Sequence, residues 1–410
     1  MLTSKGVTLS LAGVSMWFLA RLVGSPGLEV TGIGLAALPF LASLTIRSGS
    51  QRRIRVRRRL SETRVAPGTR LRVGLEVENL ATTPAPMLLL EDALPSPLGR
   101  PARLVVTDLR GRGGRDVSYS LLPQARGVYR LGPLTIDATD AFGVSRRRAR
   151  MDGYDELIVT PEVEDLSTPP DATTGRGIGA ARARQLQRSG DDYYTMRSYQ
   201  EGDDLRRIHW PSVARTGELM IRQDEASRRA TGLLFLDNRE AGLGREHTPA
   251  FERAVSAVAS VGVLLTHAGF TIRLATSERP AAVYGGDSFL DALAAVGSTR
   301  VPSLASSITA LRAASTADTS LVFVGAPPAS QELPALVRGG AGFGPKLAIL
   351  VHPVDPASAP PSRREQLQAR ATHATLTLAR GGWDCIVMSP TMRLAERWHQ
   401  PRERRLEFSA

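Results

Sequence analysis

The sequence predicts a multi-domain α+β protein, in which a transmembrane helical hairpin precedes a β-sandwich and a doubly wound α/β domain. Three observations predict it: two apolar runs within the first 50 residues, short alternating segments up to residue 166, and apolar strands alternating with helical patterns near the C-terminus. A chain of 410 residues, 42% of them hydrophobic, is long enough to bury two or three cores. We divide it into residues 1–50, 51–166, a linker at 167–190, and 191–410.

The apolar runs Val7–Ala20 and Leu28–Ile46 flank a turn at Gly24–Gly27. Each is close to the length of about 20 residues that crosses a bilayer, and in lipid a helix pairs its own backbone groups. Together they predict a transmembrane hairpin. A signal peptide is the alternative for the first run, but Arg21 and the second run follow where a cleavage site of small residues would be expected.

Basic residues predict the orientation of this hairpin, because the turn carries none and arginines crowd the end of the second run. The positive-inside rule places the soluble domains in the cytoplasm, as in a multi-pass protein of the cell membrane. Arg21, near the turn, is the exception and can extend to the outer interface. The crowded arginines can contact anionic lipid or lie solvated on an edge strand; they are Arg47, Arg52, Arg53, Arg55, Arg57, Arg58 and Arg59.

Residues 51–166 carry the period-two pattern of half-buried strands, most clearly from Leu71 to Val77. Short strands separated by Gly, Pro and Asp turns predict an antiparallel sandwich of immunoglobulin-like shape. Asp137, Asp140 and Phe142 are expected to form a turn, and nothing in this domain resembles a catalytic cluster. The linker that follows is rich in Pro and Gly and is expected to be mobile.

Charged residues are dense between residues 199 and 223, where acids and arginines surround a histidine and a tryptophan. Asp203 or Asp204 is expected to cap a helix, since a carboxylate can accept hydrogen bonds from free backbone N–H groups. Pro211 must break or restart that helix, and Gly217 is expected to end it. A strand should follow.

Two interpretations of this segment are open. Asp203, Asp204 and His209 could form an acid–base pair for hydrolysis. Alternatively, the arginines pair with the carboxylates in a structural network, which we favour because no nucleophile is evident. Trp210 is expected to bury most of its ring. The candidate interaction residues are Gly202, Asp203, Asp204, Arg206, Arg207, His209, Trp210 and Arg215.

The stretch GDDLRRIHW at 202–210, followed by ARTGEL at 214–219, resembles the signature of domain-of-unknown-function family 58. The segments that begin at Arg126 (RGVYRLGPLTIDATDAFGVSRR) and Leu157 (LIVTPEVEDL) resemble the family's first soluble domain. The resemblance implies a membrane-anchored bacterial protein whose C-terminal domain is like the von Willebrand factor A domain. It also implies a MoxR-type AAA+ ATPase as the partner.

In open α/β sheets, ligands bind beyond the carboxyl ends of the strands. Asp237 ends the first predicted strand of this domain, where von Willebrand A domains begin the metal motif D-x-S-x-S. Here Arg239 and Ala241 occupy both hydroxyl positions, and the guanidinium could itself neutralise Asp237. We therefore expect no metal and no cofactor. A partner that binds this face would engage Arg239 through an acidic group.

Composition excludes little else. The net charge of +12 comes almost entirely from arginine, which suggests a coding bias, and we do not expect nucleic acid to bind. Cys385 is the one cysteine, so no internal disulfide can form, and it is expected to lie in the core. The six histidines lack zinc-site spacing.

The favoured function is therefore a non-enzymatic, membrane-anchored scaffold or protein-interaction module. By the resemblance, it would assist an AAA+ ATPase in the assembly or maturation of cell-envelope or other complexes. The alternatives are a hydrolase that uses Asp203, Asp204 and His209, and a basic membrane-surface module that binds anionic lipid.

Overall fold

The computed structural model of the chain describes residues 2–48, 53–140, 142–167, 194–200, 204–205, 208–224, 230–313 and 315–400. They divide between two compact units, Met1–Thr160 and Pro161–Ala410. Two N-terminal apolar helices and several sheets confirm the prediction of a mixed α+β chain. The predicted linker lies outside the described residues from residue 168 onwards.

Unit 1 begins with helices α1 (Ser4–Val23) and α2 (Pro26–Ser48), which are long and apolar enough to cross a membrane. They approach closely at two glycines. A Cβ on Gly13 would lie 2.4 Å from a backbone nitrogen of α2, and a Cβ on Gly32 would lie 2.6 Å from a backbone nitrogen of α1. Small residues at such positions are typical of helix pairs that pack in lipid.

Arg21, the exceptional charge near the hairpin turn, has an acidic partner. Its Nε lies 3.0 Å from Glu29 Oε1, in the first turn of α2. The guanidinium also lies over the ring of Trp17, 5.6 Å from the ring centroid. The predicted turn between the helices is present, with Gly24 in the left-handed conformation that glycine adopts without strain.

The rest of unit 1 is β-structure. Its strands are β1 (Ile54–Leu60), β2 (Arg64–Val65), β3 (Leu71–Asn79), β4 (Met87–Asp92), β5 (Ala102–Val106), β6 (Gly114–Leu121), β7 (Gly127–Leu131), β8 (Leu134–Thr139), β9 (Arg146–Met151) and β10 (Asp155–Val159). They form sheets with the strand orders β1-β3-β6, β2-β10-β7 and β5-β4-β8-β9. Alternate residues of β3 are buried, as its period-two pattern predicts.

The sheets of unit 1 enclose apolar cores. Leu75 and Val77 of β3 share one core with Leu88 of β4 and Ile136 of β8, so two of the sheets pack together. In the turn after β8, the Asp140 carboxylate accepts hydrogen bonds from two backbone N–H groups, as expected of a turn residue. Asp137 instead lies within β8, where Arg146 and Arg148 of β9 bind its carboxylate across the strands.

Arg58 is the exception to the prediction that the basic cluster is solvated or bound to lipid, because Arg53, Arg55, Arg57 and Arg59 are exposed. Its side chain is 6% exposed, and it binds both oxygens of the fully buried Asp92 carboxylate, through Nε at 2.9 Å and Nη2 at 2.5 Å. Nη1 lies 2.6 Å from Asp155 Oδ2, and the Tyr119 hydroxyl donates to Asp92 at 2.7 Å. The reason is strand alternation: Arg58 lies on the inward face of β1, with Ile54 and Val56.

Unit 2 contains a hairpin of two strands and a larger sheet with helices. Its strands are β11 (Tyr194–Ser198), β12 (Met220–Asp224), β13 (Thr231–Leu236), β14 (Thr271–Thr276), β15 (Ala282–Tyr284), β16 (Thr319–Gly325), β17 (Lys346–Val351) and β18 (Asp384–Met388). Its helices are α3 (Trp210–Thr216), α4 (Glu240–Leu243), α5 (Pro249–His267), α6 (Asp287–Ala294), α7 (Ala305–Ala313), α8 (Leu333–Gly340), α9 (Pro361–Arg380) and α10 (Leu394–Trp398).

The larger sheet is six-stranded, in the order β15-β14-β13-β16-β17-β18, and its pairs are parallel except for β14 with β15. Helix α5 is also apolar enough to cross a membrane, but most of it is buried in the core of unit 2. The opposite face of the sheet packs against α7, α8 and α9. Cys385 packs at the margin of this second core, as predicted.

Residues 161–166, which the sequence division assigns to the sandwich domain, belong to unit 2. Glu164 anchors them there: its side chain is fully buried, and Arg253 Nη1 of α5 lies 2.6 Å from Oε1. The other oxygen accepts a hydrogen bond from the backbone of Ala395 at 2.8 Å. Ser260 of α5 accepts a hydrogen bond from the Glu164 backbone at 2.9 Å.

Candidate functional site

The carboxyl edge of the six-stranded sheet brings together loops that are distant in sequence. Strands β13 and β16 are neighbours, although β14 and β15 lie between them along the chain. In doubly wound sheets, such a reversal of strand order opens the crevice in which ligands bind. Asp237 follows β13 at this point, and a Cβ on Gly325, which ends β16, would lie 2.7 Å from Asp237 Cβ. Only a glycine therefore leaves room for the aspartate.

A guanidinium group joins two carboxylates at this edge. Arg239 Nε and Nη2 lie 2.8 and 2.9 Å from the two oxygens of Asp237, which is a bidentate ion pair. Arg239 Nη1 lies 2.6 Å from Glu332 Oε1. The side chains of Arg239 and Asp237 are only 7% and 2% exposed. We call Asp237, Arg239 and Glu332, with Ser277, the Arg239 network.

Neighbouring hydrogen bonds hold this network in place. Ser277, in the loop after β14, donates its hydroxyl to Asp237 Oδ1 at 2.8 Å. Asn238 is fully buried, and its amide binds the carbonyl of Gly297 at 2.8 Å and the backbone N–H of Ser277 at 3.1 Å. The loops after β13 and β14 are therefore fastened to each other as well as to Arg239.

The charges of Glu332 and Arg239 are stable at neutral pH. Burial alone would raise the pKa of Glu332, but hydrogen bonds from Arg239 and from the backbone of Ala329 hold it below its ordinary value of 4.5. Burial alone would lower the pKa of Arg239, but its bonds to Asp237 and Glu332 raise it above the ordinary value. Arg239 is thus a permanent internal cation beside the ionised Glu332.

This geometry corrects one expectation and extends another. Arg239 does neutralise Asp237, but it is buried and bound on both sides, so it is not available to an acidic group of a partner. The residues directly after β16 include no acid. Glu332, which lies farther along the segment between β16 and β17, brings a carboxylate to the site. No sequence pattern indicates Glu332 or Ser277, because neither belongs to a motif and both reach Asp237 only through the fold.

The signature segment is described in part. Gly202, Asp203, Arg206 and Arg207 lie outside the described residues, and so do the side-chain contacts predicted for them. Asp204 and Arg215 are exposed. Helix α3 begins at Trp210, next to Pro211, where the sequence predicts a break or restart, and it ends at Gly217, as predicted, in a left-handed conformation.

Trp210 contradicts the prediction of a buried ring, because 65% of it is exposed. It is the first residue of a helix of only seven residues, in which no residue is buried, so the expected apolar neighbours do not cover it. His209 lies just before this helix, and its Nδ1 is 2.8 Å from Ser212 Oγ. The one sequence signal for this contact is the position of Ser212 three residues after His209, which places the two side chains on one face of the turn.

Among the described residues, no group of three or more His, Cys, Asp or Glu side chains is arranged to hold a metal ion. The Arg239 network shows why its own carboxylates do not form such a group. Asp237 and Glu332 supply only two acids, and the guanidinium lies between them.

Similarity to solved structures is weak. An alkylpurine DNA glycosylase, AlkC, from Pseudomonas fluorescens is 12% identical, with a TM-score of 0.19 over 35% of this chain and 42% of that one. The CARDB domain of the PF1109 protein from Pyrococcus furiosus is also 12% identical, with a TM-score of 0.19 over 26% of this chain and 89% of that one. Scores this low support no inference about fold or function.

Similarity in sequence is more informative. The uncharacterized protein YeaD of Bacillus subtilis (strain 168) is 25% identical over 210 residues, which is 50% of this chain and 51% of that protein. The match thus spans about half the length of that relative. The family described as "Protein of unknown function DUF58" matches residues 195–284, which begin in β11 and end in β15. The resemblance to family 58 is confirmed by this match, which covers residues 195–284 of the chain.

Proposed function

We propose that this chain is a non-enzymatic scaffold, anchored in the cell membrane by its helical hairpin, whose second unit binds another protein. The Arg239 network carries the proposal. The crevice at the carboxyl edge of the sheet, where an enzyme of this architecture would place reacting groups, is filled by a guanidinium that two carboxylates saturate. A site closed in this way is suited to holding loops in a fixed arrangement for recognition.

The partner we propose is a MoxR-type AAA+ ATPase, and the process is the assembly or maturation of cell-envelope or other complexes. The resemblance to family 58 supports this, through the role that it implies for such proteins. A tagged full-length chain, purified from its native membranes in mild detergent, should retain this ATPase. A tagged hairpin of residues 1–50 should not retain it. Recovery of anionic lipid without the ATPase would favour the membrane-surface function instead.

The finer fold assignments are part of this proposal. An immunoglobulin-like sandwich is supported by the packing of short antiparallel strands around shared cores in unit 1. A von Willebrand A-like domain is supported by the strand order of the larger sheet and by Asp237 at the end of its first strand. Dinucleotide-binding folds share that strand order, so the aspartate is the more specific feature.

We also propose that both soluble units face the cytoplasm. The arginines beyond residue 46 support this orientation through the positive-inside rule. A membrane-impermeant maleimide added to intact cells should label a Ser25→Cys variant and leave a Ser167→Cys variant unlabelled. For both probes, Cys385 is first replaced by serine. Labelling at position 167 from outside would reverse the topology.

A hydrolase is the second candidate, and one contact favours it. The distance of 2.8 Å between His209 Nδ1 and Ser212 Oγ is suitable for a base that activates a hydroxyl nucleophile. A fluorophosphonate probe should then label the wild-type chain and leave Ser212→Ala unlabelled, with unchanged folding. We favour the scaffold, since a histidine and a serine this close in sequence also form an ordinary contact at a helix start.

A further inference from the structure

A pocket of about 220 Å³ opens at the same carboxyl edge of the sheet as the Arg239 network. Its walls come from α4, from the loops after β16 and β17, and from one face of α9. The apolar and small residues of these walls are Ala241, Gly242, Ala326, Pro327, Pro353 and Leu367. The pocket is thus rigid on the side of its two prolines and apolar over much of its surface.

The Arg239 network supports one wall of this pocket. Helix α4 begins directly after Arg239, which is its N-cap residue. A Cβ on Gly242 would lie 3.3 Å from Ala326 Cβ and 3.9 Å from Asp237 Oδ2, so the wall lies directly against the network. The internal ion pairs therefore fix the spacing between α4 and the loop after β16.

Two exposed arginines flank the pocket. Arg363 and Arg370 line it from α9, both are exposed, and neither has a hydrogen-bond or ion-pair partner among the described residues. They are seven residues apart, about 10 Å along a helix, with Leu367 between them on the same face. Arg364, by contrast, donates to the backbone carbonyls of Pro356 and Ala357 and is occupied.

We propose that this pocket binds a short acidic segment of the partner protein, with an apolar side chain in the pocket and carboxylates on Arg363 and Arg370. The inference rests on the proposed protein-binding function and names the chemistry of the ligand. Charge complementarity identifies the segment as acidic, because Arg363 and Arg370 are exposed at the pocket and have no ion-pair partner among the described residues. The volume is below the roughly 300 Å³ of the smallest typical cofactor pockets, so one side chain suits it better than a whole cofactor.

The test uses the full-length chain in detergent and a fluorescein-labelled peptide whose central leucine has two glutamates on each side. Fluorescence anisotropy should detect binding that weakens as salt rises, since exposed ion pairs are screened. The double variant Arg363→Glu/Arg370→Glu should bind at least about tenfold more weakly, because each ion pair becomes a repulsion. The matched control is Arg380→Glu, which makes the same change on the same helix, and it should bind within about twofold of wild type.

Several results would overturn the inference. The first is that the peptide does not bind at millimolar concentration. The second is that a peptide with glutamines in place of the glutamates binds as tightly as the acidic one. The third is that Arg380→Glu weakens binding as much as the double variant does. Binding to phosphatidylglycerol vesicles, without peptide binding, that the double variant abolishes would also overturn it. If charge reversal prevents folding, Arg363→Gln/Arg370→Gln replaces it with the same expectation. Peptide binding without ATPase capture would refute the proposed partner and leave the pocket assignment intact.

Discussion

Each unit contains a buried arginine that bridges two carboxylates. One arginine joins sheets within a domain, and the other lies at the edge of a sheet where a ligand would bind. In unit 1, Arg58 joins Asp92 and Asp155. In unit 2, Arg239 joins Asp237 and Glu332. The first lies in the middle of a strand, and its partners belong to strands of two other sheets. The second lies in a loop at the edge of the sheet where ligands bind in related architectures.

The same ion-pair chemistry thus stabilises the structure in unit 1 and closes a crevice in unit 2. Arg58 also donates to the backbone carbonyl of Leu131 at 3.1 Å, so it links the sheets of unit 1. Arg239 links loops that would otherwise leave two carboxylates facing each other across a crevice. Its location, and not its bonding, gives it a functional consequence.

The largest effect is expected for Arg58→Met. Asp92 is fully buried, and without the guanidinium its charge would lack a compensating cation. Loss of one partner of a buried pair costs about 3–5 kcal/mol. Urea unfolding of the detergent-solubilised chain, followed by circular dichroism, should show that loss in the free energy of unfolding. The control is Arg57→Met, on the exposed face of the same strand, and a similar cost there would contradict the comparison.

Arg239→Ser tests whether the guanidinium occupies the place of a divalent metal cation. The variant keeps the oxygens of Asp237, Glu332 and Ser277, which are ligands that hard divalent cations accept. If Mn²⁺ binds with a Kd of about 0.1 mM, 10 mM Mn²⁺ should stabilise the variant by about 2.7 kcal/mol. The melting temperature of the wild-type chain should not respond to Mn²⁺.

The control for that gain is Arg239→Ser combined with Asp237→Asn, which removes an anionic ligand and should abolish the response. A wild-type chain that binds Mn²⁺ at millimolar concentration in calorimetry would contradict our interpretation. Adding Ala241→Ser to Arg239→Ser, which restores the second hydroxyl of the D-x-S-x-S pattern, should increase the affinity further.

A smaller effect is expected in acid. The folded-state pKa of Glu332 lies below its ordinary value of 4.5, so its ion pair stabilises the fold fully above that pH. The stabilisation is then lost as the pH falls through the lower folded-state pKa. Glu332→Gln should therefore flatten the acid limb of a stability–pH curve measured by thermal unfolding. An unchanged limb would mean that Glu332 does not contribute to the network.

The smallest effect is expected for Trp210→Ala, which alters neither arginine network. It measures how much a substitution at the surface changes the free energy of unfolding. Because 65% of the ring is exposed, truncation should alter the free energy of unfolding by no more than about 0.5 kcal/mol. Chemical denaturation monitored by circular dichroism would measure this. A loss of about 3 kcal/mol, as for a core tryptophan, would instead restore the prediction of a buried ring.

Sequence patterns predict the elements of this fold better than its contacts. The alternation from Leu71 to Val77 predicts β3, and Gly217 ends α3 as expected. Sequence pattern does not indicate strand β9, because its run of arginines has no apolar alternation; the strand is stabilised by its pairing with β8. Local pattern therefore succeeds where burial follows from residues that are neighbours in sequence.

The candidate site shows where such patterns fail. Asp237 and Arg239 could be identified because they replace a known motif after a predicted strand. Glu332 could not, since it is 93 residues from Arg239 and meets it only when β13 and β16 pair. The exposure of Trp210 could not be predicted either, because the same short helical sequence can lie on a surface or in a core.

The pairing of Arg21 with Glu29 has an electrical consequence for the hairpin in the proposed orientation. The segment that must cross to the outer side contains both residues, so it carries no net charge. A lone arginine would be opposed by the membrane potential at about 2.3 kcal/mol for each 100 mV. Because Glu29 compensates the charge of Arg21, the turn can cross to the outer side without work against the membrane potential.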